Sequence, residues 1–266
     1  MNDTRSTAAG AAAAGTITIG GDLNVNRLGF GAMRLTGPGI WGEPEDPQNA
    51  RRVLQRALEL GVNFIDTADS YGPDVSERLI GETLHPYPPG LVIATKGGLI
   101  RPGRDIWERK GDPAHLRKAC EGSLKRLRLE RIDLYQFHAP DPRVPLEDSL
   151  GELVKLQQEG KIRHIGVSNF SVAELERAVR VATIISVQNR YSVGARRSDD
   201  VVTWCEQRKI AFIPHSPLAA GEHAGRAAQS ALIWLLARSP MMLPIPGTSS
   251  VAHLEENVAA AGTLPA

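Results

Sequence analysis

From residue 27 onward, eight short runs rich in β-branched and apolar residues recur: RLGFGAM, NFIDTA, LVIATKGG, IDLYQFHA, HIGVSN, IISVQNRY, AFIPHSP and MMLPIPG. Each is followed by a stretch with helical patterning. Their near-continuous apolar character suits parallel strands covered on both faces, because a half-exposed strand would alternate apolar with polar residues. Eight such units in about 240 residues match a closed (β/α)8 barrel. The competing arrangement is an open, doubly wound sheet. Against it, no G-x-G-x-x-G follows the first run, and RLGFGAMRLTGPG continues into a long loop rich in Gly and Pro. The expected architecture is therefore α/β, a TIM barrel.

Ahead of the barrel, TITIGGDLNV alternates around Gly20, Gly21 and Asp22, the pattern of a short β-hairpin. Residues 1–16 are expected to be a disordered tail: Asp3 stands where a secretory signal needs positive charge, and its alanines are too weakly apolar. Residues 17–266 show no composition break and read as one barrel domain. Helix punctuation supports the intervening elements. Gly61 closes the stretch 47–60, Asp112 and Pro113 open another, and Ser171 with Glu174 forms a capping box.

The 266 residues are 42% hydrophobic and 23% charged, with a formal net charge of +1, enough apolar surface for a large core. A balanced charge leaves no net field for nucleic acid or anionic lipid. The longest apolar stretch, residues 230–237, is too short to span a membrane. Cys120 and Cys205 lack disulfide-scaffold or metal-ligand spacing and fall on apolar helix faces, so both are expected to be core thiols in a cytoplasmic protein. The expected partner is a small molecule, with the chain a monomer or weak homo-oligomer and neither nucleic acid nor membrane involved.

In a barrel the chemistry lies where strands end, so polar residues at the C-terminal ends of the runs matter most. Asp66 ends the second run and is followed by Tyr71; Lys96 ends the third, His138 the fourth, Ser168 and Asn169 the fifth, and the sixth carries Gln188. Asp66 could instead cap a helix, and His138 could be a hydrogen-bonded core residue. Lys96 is harder to dismiss, because an unpaired buried ammonium costs several kcal/mol. Asp66, one strand away, is its natural partner. Such a pair beside Tyr71 is expected to lower the phenol from about 10 by about a unit or two, making it a general acid near neutral pH. Only Asp66 and His138 qualify as metal ligands at these ends, too few for a three-ligand site, so no metal is expected.

DTADSYG at 66–72, ATK at 94–96, YQFH at 135–138 and GVSNF at 166–170, in this order, resemble the aldo-keto reductases. The resemblance runs from residue 17 to about 260, and the RLTGPGIWG loop is similar to that of bacterial oxidoreductases related to pyridoxal reductase. It implies an NAD(P)H-dependent oxidoreductase that reversibly reduces a small aldehyde or ketone to an alcohol, with NADP(H), or alternatively NAD(H), as cofactor. The implied catalytic tetrad is Asp66, Tyr71, Lys96 and His138, with Tyr71 as proton donor. The implied cofactor contacts are Ser168, Asn169 and Gln188 to the nicotinamide amide, with His215, Ser216 and Leu218 beyond the seventh run. Gly247, Thr248 and Ser249 would receive phosphate at a helix N-terminus, followed by His253 and Asn257. Trp41 and Trp107 are candidate walls of the substrate pocket, or anchors of their own loops.

The chain departs from that family in three places. His215 stands where an aromatic ring commonly stacks on the nicotinamide. Gly247 and His253 occupy the positions of the Lys and Arg that often grip the 2'-phosphate. Only LAAGEHAGRAAQSA separates Pro217 from the helix containing Leu232, and the chain ends soon after its last helix, so either the pocket is open or part of the chain is missing. The resemblance also admits an NADP-binding regulatory or redox-sensing subunit with little turnover.

Overall fold

A computed structural model describes residues 10–218 and 225–263. Strands β1 (Thr16–Ile19) and β2 (Leu23–Asn26) form the expected antiparallel hairpin, turning through Gly20 and Gly21 at φ of 62° and 85°. Left-handed backbone there costs a glycine nothing sterically. Asp22, at the same turn, meets Nε2 of His164 at 2.6 Å and is also paired with Arg163, which ties the hairpin to the strand above it.

The barrel strands follow: β3 (Phe30–Gly31), β4 (Phe64–Asp66) and β5 (Val92–Gly97). An excursion after β5 makes a second antiparallel hairpin, β6 (Leu99–Gly103) and β7 (Ile106–Arg109). Strands β8 (Ile132–Phe137), β9 (Ile162–Ser168), β10 (Ile184–Arg190) and β11 (Ala211–His215) complete a seven-stranded parallel sheet in chain order. The outer layer comprises α1 (Pro47–Glu59), α2 (Val75–Leu84), α3 (Pro113–Leu127), α4 (Leu146–Gln158), α5 (Val172–Ala178), α6 (Asp199–Arg208), α7 (Gly225–Arg238) and α8 (Val251–Ala259). Their starts follow the sequence: Asp112 caps α3 by accepting from the His115 N–H, and Ser171 with Glu174 forms the capping box of α5.

The eighth run closes the barrel without being a regular strand. Phe212 N–H donates to Met241 and Leu243 N–H to Phe212, while on the other side Gly29 and Gly31 donate to the carbonyls of Pro244 and Pro246. Two prolines at alternate positions have no N–H to return to β3, so the stave bonds toward its first-strand neighbour in one direction only.

Alternation along the strands sorts the lumen into two levels. Phe64, Ala94, Leu134, Ile213 and Ile245 point inward and join Ile17, Ile19, Leu23 and Val25 of the hairpin in one buried apolar cluster. Two residues further along the same strands lie Asp66, Lys96, Gln136, His215 and Gly247. A strand's side chains repeat with period two, so these share the inward face at the mouth. The hairpin therefore seals the bottom, and the chemistry is at the top. Cys120 and Cys205 are buried among the helices, and burial pushes each thiol up to about 12.

The expected tail needs correction in its second half. Residues Ala11–Ala14 form a 3-10 turn whose Ala11 and Ala14 are buried, and Ala11 N–H donates to the Leu60 carbonyl at 2.8 Å. The alanine run reads as weak hydrophobicity, but its small side chains suit a turn packed against the C-terminal 3-10 turn Ala260–Thr263 and bonded to Leu60 just past α1. Residues 1–9 of that tail lie outside the described residues.

Because Ile19 is 1% exposed in the plug below the site, Ile19→Ala is expected to cost about 2–5 kcal/mol, read as a lower urea midpoint at unchanged m-value.

Candidate active site

The inner ends of β4, β5 and β8 bring together the four groups expected to carry chemistry. Lys96 is fully buried, and its ammonium donates to Asp66 Oδ1 at 2.5 Å, to the Thr67 carbonyl at 2.8 Å and to the Tyr71 hydroxyl at 3.3 Å. All three of its protons are thus placed. Asp66 Oδ2 in turn accepts from the amides of Gln136 at 2.9 Å and Gln188 at 2.8 Å. Burial disfavours the Lys96 ammonium, but Asp66 and then Tyr71 oppose it through charge and hydrogen bonding, and the net direction is upward. Lys96 is a cation at neutral pH.

Tyr71 follows β4 on a turn, its N–H donating to Ala68 and its carbonyl accepting from Ser76. His138 lies 6.0 Å away, edge to ring, with Nδ1 3.4 Å from Ser70 Oγ. Burial, then Lys96, then His215, holds the His138 imidazole well below its ordinary range, so it is neutral. The expectation for Tyr71 is overturned. Burial raises its phenol above 10, and Lys96 only partly offsets this, with Asp66 adding to the rise. Desolvation wins because the Asp66 carboxylate cancels much of the ammonium's field at the phenol. Tyr71 is therefore a protonated donor, not a phenolate.

These groups open into a cavity of about 620 Å³. Tyr71 and His138 line it together with Ser168, Asn169, Gln188, His215, Ser216, Leu218, Gly247, Thr248, Ser249, His253, Asn257 and Trp107. Asp66 lines it too, and Lys96 sits behind Asp66 and Tyr71, bonded to both. Trp41 does not line the cavity. It pairs with Gly72 and lies against the Arg101 guanidinium. Gln188 is at the cavity edge, but its amide N–H is engaged by Asp66.

Asn169 and Ser216 adopt left-handed backbone at φ of 63° and 55°. Such conformations cost a non-glycine residue on the order of 1–3 kcal/mol and persist where neighbours enforce them. Here Asn169 is held by the His138 carbonyl at 3.0 Å and by His215 Nε2 at 3.3 Å. Burial, with Lys96 and Arg190 adding to it, pushes the His215 imidazole down to about 4.

Gly247 explains one departure. A Cβ there would meet the Gly31 carbonyl oxygen at 2.6 Å, so no side chain fits without moving β3. Arg34, on the 3-10 turn after β3, lines the same region and brings its Cγ within 3.8 Å of that Cβ position. Sequence reasoning missed Arg34, Gln136 and Ser70. For Gln136 the signal was present: it stands two residues before His138, hence on the same face. Arg34 carried none, because its position depends on a turn of Ala32–Leu35. Segment 219–224, within the short stretch noted after the seventh run, lies outside the described residues. Among the described residues, no group of three or more His, Cys, Asp or Glu is placed to hold a metal ion.

Residues 27–230 match the model of the aldo/keto reductase family. The chain belongs to that family. This aldo/keto reductase is 49% identical to an uncharacterized oxidoreductase of Schizosaccharomyces pombe, covering 97% of this chain and 88% of that protein. It is 41% identical to pyridoxine 4-dehydrogenase of Escherichia coli, covering 92% of each. Among solved structures it superposes on glycerol dehydrogenase from Gluconobacter oxydans with a TM-score of 0.83 at 30% identity, over 92% of this chain and 90% of that one. A Klebsiella pneumoniae aldo-keto reductase in complex with NADPH matches with a TM-score of 0.80 at 26% identity, over 94% and 90%.

A histidine kept neutral by the fold binds its proton more readily once unfolded, so His215 and His138 contribute stability that is present above about pH 6.5 and lost as pH falls. With His215 held down to about 4, unfolding free energy is expected to drop between pH 6.5 and 4, and His215→Asn is expected to flatten that slope in pH-dependent denaturant titrations.

Proposed function

We propose that this aldo/keto reductase reduces a small aldehyde or ketone to its alcohol, with NADP(H) as cofactor and the Tyr71 hydroxyl as proton donor. The observation that carries this reading is the Lys96 ammonium, fully buried, balanced by Asp66 and 3.3 Å from the Tyr71 hydroxyl. The donors are prearranged to stabilise charge growing on a carbonyl oxygen.

The cavity suits a dinucleotide. Ser168 and Asn169 offer hydroxyl and amide groups at one strand end. Gly247, Thr248 and Ser249 lie ahead of the N-terminus of α8, where the helix dipole favours a phosphate even though the Ser250 hydroxyl takes the His253 N–H. Gly31 and Gly247 pack so closely that a Cβ on either would strike backbone, which keeps the wall between the first and last staves bare of side chains. Ser168, Asn169, Gln188, His215, Ser216 and Leu218 would hold the nicotinamide end. Gly247, Thr248, Ser249, His253 and Asn257 would hold the phosphates and adenosine, and Arg34 and His253 are basic groups there. When bound, the nicotinamide supplies a hydride to the carbonyl carbon.

Lys96 polarises the phenol as Tyr71 delivers its proton to the carbonyl oxygen. Neutral His138 has one ring N–H to hydrogen-bond the same oxygen and fix the carbonyl plane. Asp66, pinned by Gln136 and Gln188, keeps Lys96 charged and aimed. In the oxidative direction the phenol must first lose its proton, which burial opposes. An aromatic aldehyde of the pyridoxal type belongs in the substrate set, since a pyridoxine 4-dehydrogenase is a relative at 41% identity. The cytoplasmic setting and the monomeric or weakly self-associating state are part of the same proposal; among the described residues no helix is long and apolar enough to cross a membrane.

Tyr71→Phe is expected to lower kcat for NADPH-dependent aldehyde reduction at least ~100-fold, while NADPH still quenches tryptophan fluorescence. Retention of activity in that variant, followed at 340 nm, would refute the assignment of the proton donor.

A further inference from the structure

Arg101, in β6, is 7% exposed, and its guanidinium carbon lies 3.8 Å from the ring centroid of Trp107 and 5.4 Å from that of Trp41. Its nitrogens donate to the carbonyls of Ile106 at 3.2 Å, Ile40 at 2.9 Å and Gly39 at 3.2 Å, and also to that of Arg104. One planar cation thus joins the hairpin β6–β7 to the loop after β3. That loop is itself paired with Gly72, the residue after Tyr71. The strand β7 is exposed along its whole length, so core packing does not fix Trp107, which is 39% exposed. Yet Trp107 lines the cavity shared by Tyr71 and His138.

We propose that Arg101 is a positioning residue that holds Trp107 as an aromatic wall beside Tyr71 and His138, and thereby selects planar aromatic carbonyl compounds. The inference rests on the carbonyl-reductase reading and names the substrate class for it. The physics is specific to a guanidinium. Its flat face stacks on an indole while its edge donates in-plane to several acceptors, which a lysine ammonium cannot do at once. With one indole face covered by the cation, the remainder of the ring is what the cavity sees, and an aromatic substrate gains an offset or edge-on ring contact there. A short aliphatic aldehyde gains little from it. Tyr71 has further anchors of its own in Lys96 and in its turn, so the clamp acts on substrate affinity more than on proton delivery.

The test compares benzaldehyde with propanal as NADPH-dependent substrates in the unaltered protein, Trp107→Ala, Arg101→Met and the double variant. Each single change is expected to raise KM for benzaldehyde about 5- to 10-fold at nearly constant kcat and to change that for propanal less than about 2-fold. The double variant is expected to be no worse than Trp107→Ala, the non-additivity of two residues acting as one unit. Additive effects, equal effects on the two aldehydes, or an unchanged benzaldehyde KM in Trp107→Ala would overturn the proposal. If circular dichroism shows that Arg101→Met does not fold, Arg101→Lys takes its place in the cycle, since it keeps the charge without the planar fork. A second readout needs no turnover: Arg101→Met is expected to increase acrylamide quenching of tryptophan emission more when Trp107 is present than in the Trp107→Ala background, where only the contact with Trp41 is lost. If the unaltered protein reduced neither aldehyde, the carbonyl-reductase reading would fail, and the quenching result would still decide the clamp.

Discussion

The ammonium of Lys96 in the barrel lumen is the constraint around which the upper half of this protein is organised. A cation removed from water on this scale is tolerable only with complete local compensation. Asp66, Thr67 and Tyr71 each accept one of its protons, and the second oxygen of Asp66 is in turn occupied by Gln136 and Gln188. Strands β4, β5, β8 and β10 all contribute to one connected polar network. Each member is needed for the others to be satisfied, and the outcome is a charged pair fixed against a single phenol.

Below that network the lumen is apolar and above it lies the cavity, and both follow from strand periodicity. The lower inward residue is Phe64, Ala94 or Leu134, and the next inward residue is Asp66, Lys96 or Gln136. The hairpin of β1 and β2 closes the lower end with apolar side chains, which keeps water from reaching the ion pair from beneath. At the upper end, Gly31 and Gly247 let the first and eighth staves approach closely, and the prolines of the eighth stave allow closure while withholding N–H groups from β3.

The protonation states complete the picture. His138 is neutral, Lys96 is charged and the Tyr71 phenol is raised by burial. An isolated Lys–Tyr contact would push the phenol the other way. Here the carboxylate that stabilises the lysine also screens it from the tyrosine, and the desolvation of the phenol dominates.

Much of this was legible along the chain, because the eight strand–helix units, the glycine turn of the hairpin, the caps at Asp112 and Ser171, and the order of Asp66, Tyr71, Lys96 and His138 are all local or periodic features. Parity along β8 would also have pointed to Gln136. The sequence by itself thus determined the barrel, the face on which the reactive groups stand and the family. Tertiary structure decided what depends on distance between remote segments: that Arg34 reaches the wall beside Gly247, that Arg101 sits against Trp41 and Trp107, that the turn of Ala11 and Ala14 is buried against the C-terminal 3-10 turn, and that burial outweighs Lys96 at Tyr71. These outcomes depend on desolvation and on contacts between segments far apart in the chain, neither of which has a periodic signature in sequence.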